Sequence, residues 1–334
     1  MNTKLKNEMD LPLEYAIGID IGGTNTKFGI VNHRGEISNT GEISTTKFEK
    51  VEDFIDDLYS SLLPAIKKIG GPDVIKGIGV GAPNGNYYSG TIEYAPNLQW
   101  RGIIPIAKLI TEKFNKPCTL TNDANAAAIG ELMYGAGRGM RDFIMITLGT
   151  GVGSGIIANG QLIYGHDGFA GELGHTIIRP EGRLHWGTGM KGSLETYASA
   201  TGIAITAKEL IDERIGEKSL LRDIPHESIT SKRVYEAAVK GDKIALDVFQ
   251  ITGKILGEAL ANFVMFSSPE AIILFGGVIK AGNLLIDPVK EHMEKNLLPI
   301  FQNKVKLLFS ELKESDAAIL GASALVWEIK PEVK

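Results

Sequence analysis

The stretch Leu120-Thr121-Asn122-Asp123-Ala124-Asn125 sets a carboxylate where an apolar strand is expected to give way to a helix. Asn122 and Asp123 are residue types that cap helix N-termini, and Ala124 to Glu131 are good helix formers. Asp123 is therefore either a helix cap or an exposed acid at a domain seam, available to a bound molecule. Two glycine-rich segments on either side bear on that choice. Ile17-Gly18-Ile19-Asp20-Ile21 runs into Gly22-Gly23-Thr24-Asn25-Thr26, after which Lys27 to Val31 is strand-like again, the pattern of a β-hairpin with a glycine bend. Glycines there let backbone N–H groups approach an anion closely. Since a strand and not a helix follows, the bend is neither a Rossmann turn nor a P-loop, and an ordinary tight hairpin remains the alternative.

Ile144 to Ile157 repeats this hairpin. Ile17 aligns with Ile144, Asp20 with Thr147 and Gly22 with Gly149, and with a one-residue gap Gly29-Ile30-Val31 falls on Gly155-Ile156-Ile157. The repeat indicates an internal duplication, two domains opening with the same bent hairpin. Two such bends around one cleft would hold a chain of phosphates from both sides, and they favour a chemical role for Asp123.

The remaining elements must position these groups. A third strand is expected over Glu36–Ser44, an amphipathic helix over Val51–Ile69, and a buried strand Ile75–Val80 ending in Gly81-Ala82-Pro83-Asn84-Gly85, the kind of strand end where open α/β sheets bind ligands. Asn97 follows in Tyr94–Trp100, then a helix Ile106–Phe114. Gly135–Gly139 reads as a turn and Gly168–His175 as a loop between strands. Ser193 is a candidate N-cap after the glycine-rich Gly182–Gly192, and further helices run to about Phe266 across a charged, mobile connection at Glu217–Ser228. Ile272–Phe275 reads as a strand running into Gly276-Gly277. A last helix, Ala317–Glu328, is expected to pack back on the other domain. The domains are accordingly expected at 1–121 plus 316–334 and at 122–315.

With 334 residues, of which 43% are hydrophobic and 22% charged, the chain can bury two cores. A net charge of −5 without a basic run argues against nucleic acid and against an anionic membrane surface, and favours small-molecule chemistry. Cys118, the single cysteine, excludes an intrachain disulfide and a cysteine-rich metal site, as suits a reducing compartment. No apolar run approaches a membrane span and Met1 to Leu13 lacks the apolar core of a signal peptide, so a cytoplasmic location is expected.

Taken together, Asp20-Ile21-Gly22-Gly23-Thr24, Ala95-Pro96-Asn97-Leu98-Gln99-Trp100, Asn122-Asp123-Ala124-Asn125, Leu148-Gly149-Thr150-Gly151-Val152-Gly153, Gly171-Glu172-Leu173-Gly174-His175, Leu194-Glu195 and Phe275-Gly276-Gly277 resemble the ROK family of bacterial sugar kinases, from about Ile17 to Trp327. The resemblance implies a two-domain α/β protein of the actin-like ATPase (ribonuclease H-like) fold, with duplicated glycine-bent hairpin domains around a cleft. It implies ATP-dependent phosphorylation of a hexose 6-hydroxyl, glucose first, with N-acetylglucosamine, N-acetylmannosamine or fructose as alternatives. A sugar-binding sensor without catalysis is the alternative from another class.

The resemblance also assigns roles. Asp123 would be the general base, and Asn97, Asn122, Glu172, His175 and Glu195 would bind sugar hydroxyls. Gly22, Gly23, Thr24, Thr150 and Gly151 would bind phosphates, Gly276 and Gly277 would lie against adenosine, and Asp20 would hold Mg²⁺ through water. In the family a histidine equivalent to His175 joins three cysteines on zinc; those cysteines fall on Trp186, Thr188 and Ser193, so no structural zinc is expected. His185 nearby reads as a solvated loop histidine. About sixteen residues precede the first strand, too few for the helix-turn-helix of the family's repressors, so DNA binding is not expected. A homodimer is the family default.

Overall fold

The computed structural model describes residues 14–313 and 315–327. β1 (Tyr15–Ile21) and β2 (Asn25–Asn32) form the first hairpin, β3 (Ile37–Ser44) extends it, and α1 (Val51–Lys68) follows. The helix buries Phe54, Ile55, Leu58, Leu62 and Ile66, the apolar positions whose spacing fits one helical face. β4 (Ile75–Gly81) then pairs parallel with β1. The short strands β5 (Gly85–Asn86), β6 (Thr91–Glu93) and β7 (Ile103–Ile104) form a separate sheet, and α2 (Ile106–Phe114) leads to β8 (Cys118–Thr121), parallel to β4. α3 (Asp123–Tyr134) closes this run.

The second hairpin is β9 (Phe143–Leu148) and β10 (Val152–Ala158), extended by β11 (Gln161–Leu162). After a long excursion come α4 (Glu195–Ala198), α5 (Ala200–Glu213), α6 (Ser231–Val239) and α7 (Lys243–Ser267). β12 (Ala271–Phe275), α8 (Asn283–Lys295) and β13 (Lys306–Phe309) complete that unit, before α9 (Ala317–Ala324). The two large sheets run β3-β2-β1-β4-β8 and β11-β10-β9-β12-β13. Each is an antiparallel hairpin whose first strand takes parallel partners on its other edge. The duplication read from two bends thus extends to a whole sheet topology.

Contacts divide the chain into one unit that reaches Arg138, takes in Tyr164–Ala170 and resumes at Glu311, and a second unit of Gly139–Ile163 and Gly171–Ser310. The expected boundary after Thr121 is therefore corrected: α3 belongs to the first unit. Its Gly130 meets Gly321 of α9, where an added Cβ would stand 2.9 Å from the Gly321 Cα. α9 returns to the first sheet as expected, so close that side chains at Gly18 or Gly79 would overlap the helix carbonyls of Ile319 and Ala322. Glu328 and the other residues assigned to the last helix and domain beyond 327, like residues 1–13, lie outside the described residues.

Two further expectations change. Ser193 caps nothing; its carbonyl accepts from the Thr196 N–H and hydroxyl, while Ser199 caps α5 through the Gly202 N–H. The Glu217–Ser228 connection carries short helical turns at Leu220–Asp223 and His226–Ser228, with Leu221 fully buried and Asp242 accepting from the Leu220 N–H at 2.5 Å. Among the described residues no helix is long and apolar enough to cross a membrane.

Candidate active site

Strand register assembles the first unit's acids. Asp20 lies beside Gly81 across β1 and β4, and Gly81 lies beside Thr121 across β4 and β8, at the carboxyl ends of three parallel strands. Asp123 opens α3 just beyond. A Cβ at Gly81 would stand 3.5 Å from the Asp123 Cα and 3.9 Å from Asp20 Oδ1, so a residue without a side chain leaves room between the two acids.

Capping falls to Asn122, whose backbone is extended and whose Oδ1 accepts the Ala124 N–H at 2.8 Å. Asp123 Oδ1 shares that N–H at 2.8 Å, but as the first helical residue it is not needed as the cap. Its side chain reaches solvent, yet the protein crowded round it strips enough hydration to raise its pKa, against the lowering effect of the Ala124 N–H. Burial first, then the Asp123 charge, push Asp20 up to about 6, with Lys27 opposing.

The glycine bend meets Asn97. A Cβ at Gly23 would lie 2.7 Å from the Asn97 carbonyl oxygen, so the close seating of Asn97 needs glycine there. Buried Ala95, Leu98 and Trp100 anchor the exposed Asn97, and the Trp100 indole donates to the Phe48 carbonyl at 3.0 Å. The Gly22 N–H closes the bend on the Asn25 carbonyl at 3.0 Å, and Thr24 stands exposed at its tip. Asp20, Gly22, Gly23, Thr24, Asn97, Asn122 and Asp123 are thus gathered in one unit.

In the second unit the Gly149 N–H bonds the Gly151 carbonyl at 3.0 Å to close the shorter bend. Glu195 opens α4 and grips that bend, Oε2 accepting from the Val152 N–H at 2.7 Å, and any side chain on Gly151 would overlap its carboxylate. The reading of His185 as a solvated histidine is corrected: it is only 5% exposed, and its Nε2 lies 2.6 Å from Glu195 Oε1. Sequence alone missed this because a histidine among glycines carries no signal of burial. His175 stands with its ring 5.4 Å from that of His185 and Nε2 4.0 Å from Glu172 Oε2, while its buried Nδ1 has no partner among the described residues. Glu172, His175, Glu195, Thr150 and Gly151 therefore belong to the second unit.

A cavity of about 550 Å³ opens beside the second bend, lined by Gly149, Thr150, Tyr235, Phe249, Gly277 and Lys280 among others. An added Cβ at Gly149 or Gly277 would meet no protein atom, so space rather than packing explains the glycine there. Gly276, at φ 106°, instead passes over the end of β9, where an added Cβ would stand 2.5 Å from the Leu148 carbonyl oxygen. Ser231, Lys232 and Tyr235 went unread in the sequence because polar residues on a helix look like an ordinary solvated surface, and Lys280, in the turn after β12, belongs to no motif.

Two α/β units with one strand order, each opening on a glycine-bent hairpin, define a protein of the actin-like ATPase fold. The chain belongs to the ROK family, which it matches over residues 16–329. The glucokinase of Halalkalibacterium halodurans is 38% identical over 316 residues, 93% of this chain and 94% of its own. The glucokinase of Thermotoga maritima is 31% identical over 95% of this chain and 99% of its own. The xylose repressor of Caldicellulosiruptor bescii is also 31% identical, over 93% of this chain and 77% of its own. Among solved structures, a ROK family glucokinase from Streptomyces griseus, in complex with glucose and AMPPNP, superposes with a TM-score of 0.75 at 33% identity, covering 93% of this chain and 98% of that one.

Proposed function

We propose that the protein is an ATP-dependent hexokinase that phosphorylates the 6-hydroxyl of a hexose, with glucose as the first substrate to test. The carrying observation is the pair Asp20 and Asp123 at the parallel strand ends, flanking Gly81, with Asn122 relieving Asp123 of capping. A sensor would need neither acid. Similarity to the named glucokinases supports glucose.

In this reading Asp123 accepts the hydroxyl proton as the sugar oxygen forms its bond to the γ-phosphorus and the bond to the β-phosphate oxygen breaks. A raised pKa suits a base that must hold that proton near neutrality. Asn97, Asn122, Glu172, His175 and Glu195 orient the other hydroxyls, each offering donors or acceptors to a polyol. The residues also fit a magnesium ion, since Asp20 is a crowded carboxylate whose charge Lys27 offsets only in part. Magnesium, when bound, neutralises phosphate charge and keeps most of its waters. Thr24 and Thr150, with the backbone N–H groups of Gly23 and Gly151, would hold the phosphates, Gly22 giving the first bend its close approach, and the cavity beside Gly277 has the size and walls for adenosine. A cytoplasmic homodimer is part of the same proposal, its assembly measurable by analytical ultracentrifugation.

The decisive experiment is ADP release coupled to a hexose panel of glucose, fructose, N-acetylglucosamine and N-acetylmannosamine. Turnover with glucose at the highest kcat/KM is expected. No release above the sugar-free rate with any hexose would leave the sensor reading instead.

A further inference from the structure

Between Ile177 and Ser193 the chain leaves the second unit's core as a loop closed by two bridges, Ile177 with Ser193 and Leu184 with Lys191. His185 sits inside it with both ring nitrogens engaged. Nδ1 accepts the N–H groups of Gly187 at 3.0 Å and Thr188 at 3.1 Å. A nitrogen that accepts two N–H bonds carries no proton, so the neutral ring holds its proton on Nε2 and donates it to Glu195 Oε1. The Trp186 indole stacks on the imidazole, 4.6 Å between centroids and 22° between planes, which fixes the ring's tilt. On its other oxygen Glu195 takes the Val152 N–H. A carboxylate held at both oxygens has lost its torsional freedom, and its remaining lone pairs point in fixed directions.

We propose that His185 is a positioning residue for sugar recognition: by donating from Nε2 it holds Glu195 in the one orientation that offers its free lone pairs to a sugar hydroxyl. With Trp186, Thr188 and Ser193 in the loop and Cys118 the sole cysteine of the chain, no thiolate is at hand for this task. The proposal rests on the sugar-kinase reading above, in which Glu195 is a sugar ligand. Pre-orienting such a ligand strengthens ground state and transition state alike, so its loss falls on KM and spares kcat.

The test compares the parent with His185→Ala, His185→Gln and His185→Asn. Glutamine carries an amide nitrogen out to about the place of Nε2, whereas asparagine ends at the level of Nδ1 and stops short of Glu195. A sugar KM raised about tenfold or more is expected in the Ala and Asn variants, the loss of one hydrogen bond to a charged group. The KM for ATP should hold, and the Gln variant should recover most of the sugar KM. Equal sugar KM in the Gln and Asn variants overturns the proposal, and this pair decides the matter even if the Ala variant does not fold. Nitrogen-15 NMR of the parent imidazoles gives a readout without turnover: His185 should be the Nε2–H tautomer and shift on Glu195→Gln, and an Nδ1–H tautomer overturns the proposal. A parent inactive on every hexose removes the kinase reading, whereas an active parent with unchanged sugar KM in His185→Ala removes this proposal alone.

Discussion

Asp20 and Asp123, two acids on either side of a glycine, repel one another unless a cation or a proton intervenes. That fixes the expected pH dependence. Asp20 has a folded pKa of about 6 against 3.8 for the free group, so the folded chain binds the proton more tightly than the unfolded chain. Its contribution to stability is full below 3.8 and is lost as pH rises through about 6. Asp20→Asn should therefore raise Tm relative to the parent at pH 8 and not at pH 3.5, and Mg²⁺ should stabilise the parent at pH 8 but not the variant. Equal Tm differences at both values would contradict the burial of this charge. In turnover, kcat/KM should fall as pH drops below about 6, a limb that belongs to the pair rather than to either acid.

Asp123→Asn separates capping from catalysis at the neighbouring position. Because Asn122 supplies the cap, the variant should unfold no lower than the parent, and at pH 8 somewhat higher since a crowded charge facing Asp20 is gone, and should bind sugar with similar affinity, while kcat falls by ~10²–10⁴-fold. Steady-state kinetics beside thermal unfolding would show it, and parent-like turnover would remove Asp123 from the mechanism. Both acids were legible in the sequence because a glycine bend and a helix start are local patterns. The link between His185 and Glu195 was not, since the backbone N–H groups that fix the ring's tautomer come from a loop whose path no periodicity encodes.

At the scale of elements, α9 is seated on the first sheet by the absence of side chains at Gly18 and Gly79. The clash at Gly79 is with the helix backbone at Ala322, which cannot swing aside as a side chain would. Gly79→Ala should thus destabilise by at least ~1–3 kcal/mol, the usual range for overpacking, and an unchanged Tm would contradict the close seating. The return of this helix was legible from its apolar run. The allegiance of α3 was not, because its contact with α9 joins residues some 190 positions apart, Gly130 and Gly321, which no local pattern connects. The loop 177–193 makes a separate prediction. Trp186, Thr188 and Ser193 are poor zinc ligands, so the purified chain should carry no stoichiometric zinc and should keep its fold in a strong chelator. One zinc per chain by metal analysis would refute this.

For the molecule as a whole, the repeated sheets show what duplication conserved and what each copy added. Asp20 in the first hairpin corresponds to Thr147 in the second, so only one copy carries the acid, while the cavity beside Gly149 and Gly277 belongs wholly to the other. The hairpins announced the duplication in the sequence, but the cavity walls did not, because Tyr235 and Lys280 reach it from α6 and from the turn after β12 without any motif. If this cavity is the nucleotide site, nucleotide binding should be separable from the acids of the first unit. Gly277→Val tests that. A Cβ at Gly277 meets no protein atom within 4 Å and the space beyond it is the cavity, so the variant should fold as the parent does while its methyl groups occupy the cavity. Adenosine at ~100 times its Kd should stabilise the parent by about 2.7 kcal/mol through mass action, and should stabilise Asp123→Asn equally. In Gly277→Val that thermal shift should vanish and the KM for ATP should rise, with the sugar KM unmoved. A Gly277→Val variant that keeps both the adenosine shift and the parent KM for ATP would put the nucleotide elsewhere.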